Sequence, residues 1–213
     1  MIKIFLFALL SLYIGNGVCG VSVIGTRFMI NDKAQKLNIK IVNDNESDYL
    51  IKSTLDDKDF VISPPLFLLE KNSSNMITVI PKERKNYGKD KLINLTVTAI
   101  PKSTINDDVN SISMAVRNHF KIIYRHKILQ KSSFDKFNLS SENNKCQVIN
   151  NSDFSFTFSV SKEKNSRPKI MNIGPGEKFL LDRIDLEPPC KGWVLFYNEF
   201  NDVINTVMFP KLQ

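Results

Sequence analysis

The chain of 213 residues holds only two histidines, His119 and His126, and three cysteines. So few imidazoles leave no basis for a histidine metal cluster, and no cofactor is expected. Catalytic signatures are missing as well. There is no Gly-x-Ser-x-Gly elbow, no glycine-rich phosphate loop and no His-Glu-x-x-His pair. Gly174-Pro175-Gly176-Glu177 reads as a turn before a strand, with no helix N-terminus to hold phosphate. Asp56, Asp57 and Asp59 could pair as carboxylates, but a solvated loop is the simpler reading. His119 and His126 have opposite parity on one strand and no serine or cysteine partner. The chain therefore reads as a non-enzyme. No window carries a helical period beyond three turns, and past the N-terminus no apolar run is long enough to span a bilayer. The net charge is +7 and the pI near 9.2. The lysines are interleaved with acids rather than gathered into a block with aromatics, so neither nucleic acid nor membrane is expected as a partner. An anionic group on a protein partner suits this balance better.

The N-terminus carries a targeting signal rather than structure. Lys3 is a short positive region, Ile4 to Ile14 is uncharged and apolar, and Gly15-Asn16-Gly17 breaks the run. The apolar core is about half the ~20 residues a membrane helix needs. Val18-Cys19-Gly20 then offers small residues for cleavage, so residues 1–20 read as a cleaved secretory signal. Cys19 also sits where a lipoprotein would carry its lipidated cysteine, but Val18 is bulky for the position before it. Removing the signal leaves Cys146 and Cys190. In an exported chain such a pair suggests one disulfide; two buried free thiols are the alternative.

What is abundant is alternation of period two. Leu37-Ile39-Ile41, Ile93-Leu95-Val97-Ala99 and Phe154-Phe156-Phe158-Val160 each alternate with polar residues, as half-buried strands do. Trp193 to Tyr197 is denser and reads as a two-sided strand, and Val203 to Phe209 closes the chain. Polar clusters such as Asn43-Asp44-Asn45-Glu46-Ser47 and Lys71-Asn72-Ser73-Ser74-Asn75 separate the runs. Pro64-Pro65 removes two backbone donors and places that segment in a loop or at an edge; a cis Ser63–Pro64 bond is compatible with this but not specified by it. A polar, turn-rich stretch near 126–136 divides the chain. The expected architecture is all-β, with two sandwich domains at 21–126 and 127–213.

Ser111 to Arg125 holds the most information. Ile112, Met114 and Val116 share one strand face, and Lys121 and Arg125 follow within a second apolar run. On strict period two, Lys121 lies on the face opposite Ile112, Met114 and Val116. Either the strand twists or bulges between Arg117 and Phe120, or Lys121 serves a different side of it.

Several motifs together resemble one family. They are Thr26-Arg27-Phe28-Met29-Ile30 after the signal, Val42-Asn43-Asp44-Asn45 with Tyr49-Leu50-Ile51, and Ile62-Ser63-Pro64-Pro65-Leu66 with Leu69-Glu70. Leu92 to Pro101 ends in Ile-Pro, and Phe120-Lys121-Ile122-Ile123-Tyr124-Arg125 completes the series. Their order and spacing resemble the periplasmic pilus-assembly chaperones of the chaperone–usher pathway. The resemblance implies two immunoglobulin-like domains in a boomerang around a cleft. It implies a chaperone that caps pilus or fimbrial subunits by donor-strand complementation and hands them to an outer-membrane usher. By motif position, Arg27 and Lys121 would anchor the subunit's C-terminal carboxylate, and Ile112, Met114 and Val116 would be lent as the donor strand. Asp90, Arg125 and Glu199 would form an interdomain charge network. The Lys102–Asn110 loop is short, as in the short F1–G1 loop subclass. An apolar edge in an exported protein asks for a cover, so a self-capping homodimer is a further expectation. His126 departs from the family's usual proline. The competing reading is a secreted two-domain β-sandwich that is a structural or adhesive component of a surface polymer.

Overall fold

The computed structural model describes residues 20–31, 34, 36–83, 85–102, 113–163, 169–181, 186 and 188–210. Residues 1–19 of the signal segment, Ile112 and most of the loop before Met114 lie outside the described residues. The described residues are all-β apart from one 3-10 turn at Lys131–Lys136. Among the described residues no helix is long and apolar enough to cross a membrane.

The first domain contains β1 (Val21–Val23), β2 (Arg27–Asn31), β3 (Leu37–Asn43), β4 (Tyr49–Leu55), β5 (Phe60–Ser63), β6 (Leu66–Leu69), β7 (Ser73–Pro81), β8 (Lys91–Pro101) and β9 (Val116–Arg125). They form two sheets, ordered β1-β3-β7-β5 and β2-β9-β8-β4-β6. The alternation chooses the inner faces. Ile39 and Ile41 of β3, Ile77 and Val79 of β7, and Ile93, Leu95 and Val97 of β8 are fully buried in one core, together with Ile122 and Tyr124. The Ser63–Pro64 bond is cis, as are Pro188–Pro189 and Phe209–Pro210. The proline pair sits between β5 and β6, where the chain leaves one sheet for the other, since a residue without an N–H cannot continue a ladder.

The second domain contains β10 (Phe137–Glu142), β11 (Lys145–Asn150), β12 (Phe156–Ser161), β13 (Met171–Ile173), β14 (Lys178–Leu180), β15 (Gly192–Tyr197) and β16 (Val203–Phe209). Its sheets are ordered β10-β11-β14 and β13-β12-β15-β16. Phe137, Phe158 and Phe196 are fully buried at its centre, with Phe137 edge-on to both of the others at 5.0 and 4.9 Å. Aromatic edge contacts of this kind contribute about 0.5–1.5 kcal/mol each beyond area burial. Cys146 of β11 and Cys190, just before β15, form a disulfide that ties the two sheets together.

Asparagine organises the turns of both domains. The Asn43 side chain ends β3 by donating to the carbonyls of Ser47 and Glu70, each at 2.9 Å, while its oxygen accepts the Asn45 N–H. Asn150 does the same after β11, donating to the carbonyls of Phe154 and Gly174 and accepting from Ser152. An amide has two donors and an acceptor that can replace the missing ladder, and both side chains are fully buried. Asn143 and Asn144 take positive φ of 50° and 57° in the two-residue turn joining β10 to β11, the backbone a primed hairpin turn requires.

Two local expectations change. The polar face of β12 is not solvated: Thr157 donates to Asn172, Ser159 bonds Tyr197 at 2.8 Å, and every residue of the strand is buried. The acidic loop at Asp56–Asp59 is not merely solvated either. Asp57 and Asp59 both pair with Lys91, and Tyr87 donates to Asp59 at 2.7 Å. The Tyr87 bond, with Lys91, brings the Asp59 carboxyl down to about 2; burial and that same bond push Tyr87 up to about 12.

Candidate functional site

The site grows from the pairing of β2 with β9. The two strands run parallel, with Arg27 opposite Lys121 and Asn31 opposite Arg125. Phe28 and Ile30 on β2, and Ile122 and Tyr124 on β9, point into the first core. Their alternate neighbours, Arg27, Met29, Lys121, Ile123 and Arg125, therefore share the outer face of the sheet. The second domain meets that face, and a cavity of about 190 Å³ lies between them. Arg27, Met29, Ile123 and Arg125 line it from one side; Thr157, Tyr197, Glu199 and Ile204 line it from the other.

Arg27 is the unusual group here. Its Nε and Nη2 atoms are buried and meet no hydrogen-bond acceptor. Burial pushes its guanidinium below the ordinary arginine value, and nearby Tyr197 offsets only part of this. A desolvated cation without a counter-ion is costly, since a buried charge is normally paired. Lys121, its register neighbour, turns its ammonium the other way, to the side chain of Asn94 on β8. The two residues are register neighbours on adjacent strands, and no protein carboxylate neutralises Arg27 among the described residues. Such a pair can donate charge-assisted hydrogen bonds to an anionic oxygen.

Beyond Lys121 the edge of the sheet opens. β2 begins at Arg27, so residues 116–120 of β9 pair with β8 on one side and have no strand on the other among the described residues. Exposure rises along the same stretch: Tyr124 and Ile122 are buried, Phe120 is half-buried, Val116 is 53% exposed and Met114 is 75% exposed. The strand keeps the parity that faces the core but runs past the end of the sandwich. The register with β8 is unbroken from Val116 opposite Ala99 to Tyr124 opposite Lys91. The bulge considered between Arg117 and Phe120 is therefore absent. Lys121 simply stands on the other face of a continuous strand.

The domain boundary is held by Asp90 and Arg125, whose side chains are 2% and 13% exposed. Asp90 Oδ2 accepts Arg125 Nε at 2.8 Å, Arg125 Nη2 at 2.6 Å and the Ser155 N–H at 2.9 Å. Arg125 Nη2 also donates to the Ser155 carbonyl at 2.8 Å. The Asp90 N–H donates to the Asp153 carbonyl at 2.7 Å, and Lys127 pairs with Asp153. Burial raises the Asp90 carboxyl above its ordinary range despite the arginine. Glu199, expected in this network, makes no ion pair among the described residues; it lines the cleft instead. The Ser155 backbone takes its place, because a peptide group presents a donor and an acceptor to the Asp–Arg pair at once. No side-chain pattern announces such a backbone partner. Tyr197 and Asn94 carry no signal in the sequence: Tyr197 ends a dense two-sided strand, Asn94 is one polar residue of an alternating one, and nothing local says what either faces. Among the described residues no group of three potential ligands could hold a metal.

Comparison with known proteins supplies context. A family model described as "Pili and flagellar-assembly chaperone, PapD N-terminal domain" matches residues 20–130. The chain is similar to the chaperone protein LpfB of Salmonella typhimurium, 29% identical over 157 residues that cover 65% of this chain and 66% of the relative. It is similar to the chaperone protein FocC of Escherichia coli, 24% identical over 203 residues, 89% of this chain and 88% of the relative. Among solved structures, the periplasmic chaperone SfaE superposes with a TM-score of 0.68 at 19% identity, covering 89% of this chain and 98% of that one. The Salmonella enterica SafA pilin–SafB chaperone complex gives 0.70 at 15% identity, covering 92% and 98%. These likenesses show the two-domain β-sandwich architecture.

Proposed function

This chain belongs to the pili- and flagellar-assembly chaperones of the PapD type, and from that premise we propose that it caps pilus subunits in the periplasm and passes them to an outer-membrane usher. The observation that carries this reading is Arg27, a half-buried cation with no acceptor for Nε and Nη2, in register with Lys121 beside a strand edge that is unpaired among the described residues. A subunit's C-terminal carboxylate satisfies both cations, and each charge-assisted bond contributes about 1.5–3 kcal/mol. The anchored terminus sets the register of the strand that then adds to residues 116–120 of β9. Met114 and Val116 enter the subunit, each contributing about 1.5–3 kcal/mol gross, less the cost of association; Ile112 extends the same face. No ATP or cofactor enters this scheme, because binding energy alone holds the subunit. The same apolar edge would be hidden in a homodimer when no subunit is present. The short-loop subclass stays part of this proposal, since residues 103–110 lie outside the described residues.

Arg27→Ala and Lys121→Ala should each abolish co-purification of co-expressed subunits while the chaperone stays folded by circular dichroism. Undiminished recovery of the complex would overturn the anchor. Met114→Asp should leave a folded protein that no longer protects subunits from degradation, and full protection would count against strand lending.

A further inference from the structure

Lys121 is not loose on the sheet surface. Its Nζ donates to Oδ1 of Asn94, the residue directly opposite on β8. Asn94 is held in turn: its Nδ2 donates to Asp56 Oδ2, and its backbone N–H donates to Asp56 Oδ1 at 2.7 Å. The Asp56 N–H returns a bond to the Asn94 carbonyl at 3.2 Å, just past Leu55–Leu95, where the β4–β8 register ends. A carboxylate only accepts and an ammonium only donates, so the amide between them has one useful orientation, oxygen toward Lys121 and nitrogen toward Asp56.

The choice of an amide has a chemical consequence. An amide oxygen fixes the ammonium through one of its three N–H donors and removes none of its charge. A carboxylate at position 94 would neutralise Lys121 and compete with any incoming anion; here the Asp56 charge is kept one side chain away. Two donors of Lys121 stay available. The flexible four-carbon stem is also ordered before an anion arrives, so less rotamer freedom is lost on binding. We propose that Asn94, braced by Asp56, is a positioning residue that holds the Lys121 ammonium ready for a carboxylate at the Arg27–Lys121 pair. The inference rests on the carboxylate-anchor reading for its purpose, but it makes a separate statement about the free protein: Lys121 is ordered by Asn94.

Side-chain NMR of the purified protein tests both parts, with acetate as the probe and acetamide as its neutral counterpart. In Asn94→Leu the order parameter of the Lys121 ε-methylene should fall toward that of exposed Lys52. The acetate concentration at half-saturation, followed at Lys121 and Arg27, should rise about three- to tenfold. Acetamide should give no saturable change. Asp56→Ala should move both readouts in the same direction, and a thermal melt of each variant checks its fold. Unchanged order at Lys121 in a folded Asn94→Leu protein overturns the inference. So does an unchanged acetate response in Asn94→Leu when Lys121→Ala weakens it. An acetate response that survives Lys121→Ala refutes the anchor reading instead, and the order parameter then decides the role of Asn94 alone.

Discussion

Replacing Arg27 with methionine should stabilise the free protein while destroying its binding. Arg27 buries Nε and Nη2 without an acceptor, and an unsatisfied buried polar group costs about 1–3 kcal/mol, more when charged. Methionine keeps most of the apolar stem in a cavity wall that Arg27 shares with Met29 and Ile123, so little packing is lost. Because the guanidinium retains some exposure, the relief is a fraction of the full penalty, about 1–2 kcal/mol. For a domain of this size about 1 kcal/mol moves the melting temperature by roughly 4–8 °C. The same change removes one or two charge-assisted bonds to a bound carboxylate, or about 1.5–6 kcal/mol, which weakens subunit binding by roughly 10- to 10⁴-fold. Calorimetry of the free protein and titration with a purified subunit held in denaturant-free complex exchange would read the two effects separately. A lower melting temperature for Arg27→Met would mean that the guanidinium has a structural partner. Subunit affinity within threefold of the parent protein would mean that Arg27 is not the anchor.

Three further outcomes are expected. Asp90→Ala should weaken the domain boundary, because mostly buried Arg125 and the Ser155 N–H both lose their shared acceptor, at a cost of about 3–5 kcal/mol; denaturant unfolding followed separately in each domain measures the loss of coupling. The Asp59 cluster should make a small, pH-dependent contribution to the first domain. The Asp59 carboxyl is depressed to about 2 from an ordinary 3.8, so its contribution is present above pH 3.8 and is lost as pH falls toward 2; the Tyr87 hydroxyl is raised from 10 to about 12, so its contribution is present below pH 10 and is lost as pH rises toward 12. Tyr87→Phe should flatten both limbs of a stability–pH curve. Reducing the Cys146–Cys190 bond, which closes a loop of 44 residues, should destabilise the second domain by about 4 kcal/mol in the chain-entropy picture, leaving the first domain's melt unchanged.

The Asp90 carboxyl responds to pH in the opposite sense to Asp59. Its value is raised by burial, so the folded state binds this proton more tightly than the unfolded chain, and its contribution to stability grows as pH falls through the raised value. Mild acid is therefore not expected to release the domain boundary through this group. Protonated Asp90 still accepts from Ser155 and Arg125, although the ion pair becomes an ordinary hydrogen bond.

Much of the fold was legible along the chain because a strand with one buried face must alternate, and alternation is a local property. Ile39-Ile41, Ile93-Leu95-Val97 and Phe156-Phe158-Val160 announce their inward faces this way, and all of them are buried. The Asn43 turn was legible for a similar reason, since the polar cluster from Asn43 to Ser47 marks a local reversal of the chain. The cysteine pair was legible by count, with its pairing decided by the fold. Other features needed the tertiary structure. Arg27 and Lys121 are far apart in sequence and become neighbours only because β2 adds to β9 in parallel. Glu199 is a plausible partner for Arg125 on paper, and only the approach of the second domain brings the Ser155 backbone there instead. The tie from Asp56 through Asn94 to Lys121 likewise joins three polar side chains whose common face exists only once β4, β8 and β9 have paired. Sequence pattern decides which way each side chain points along its own strand; long-range strand order and domain contact decide what it meets there.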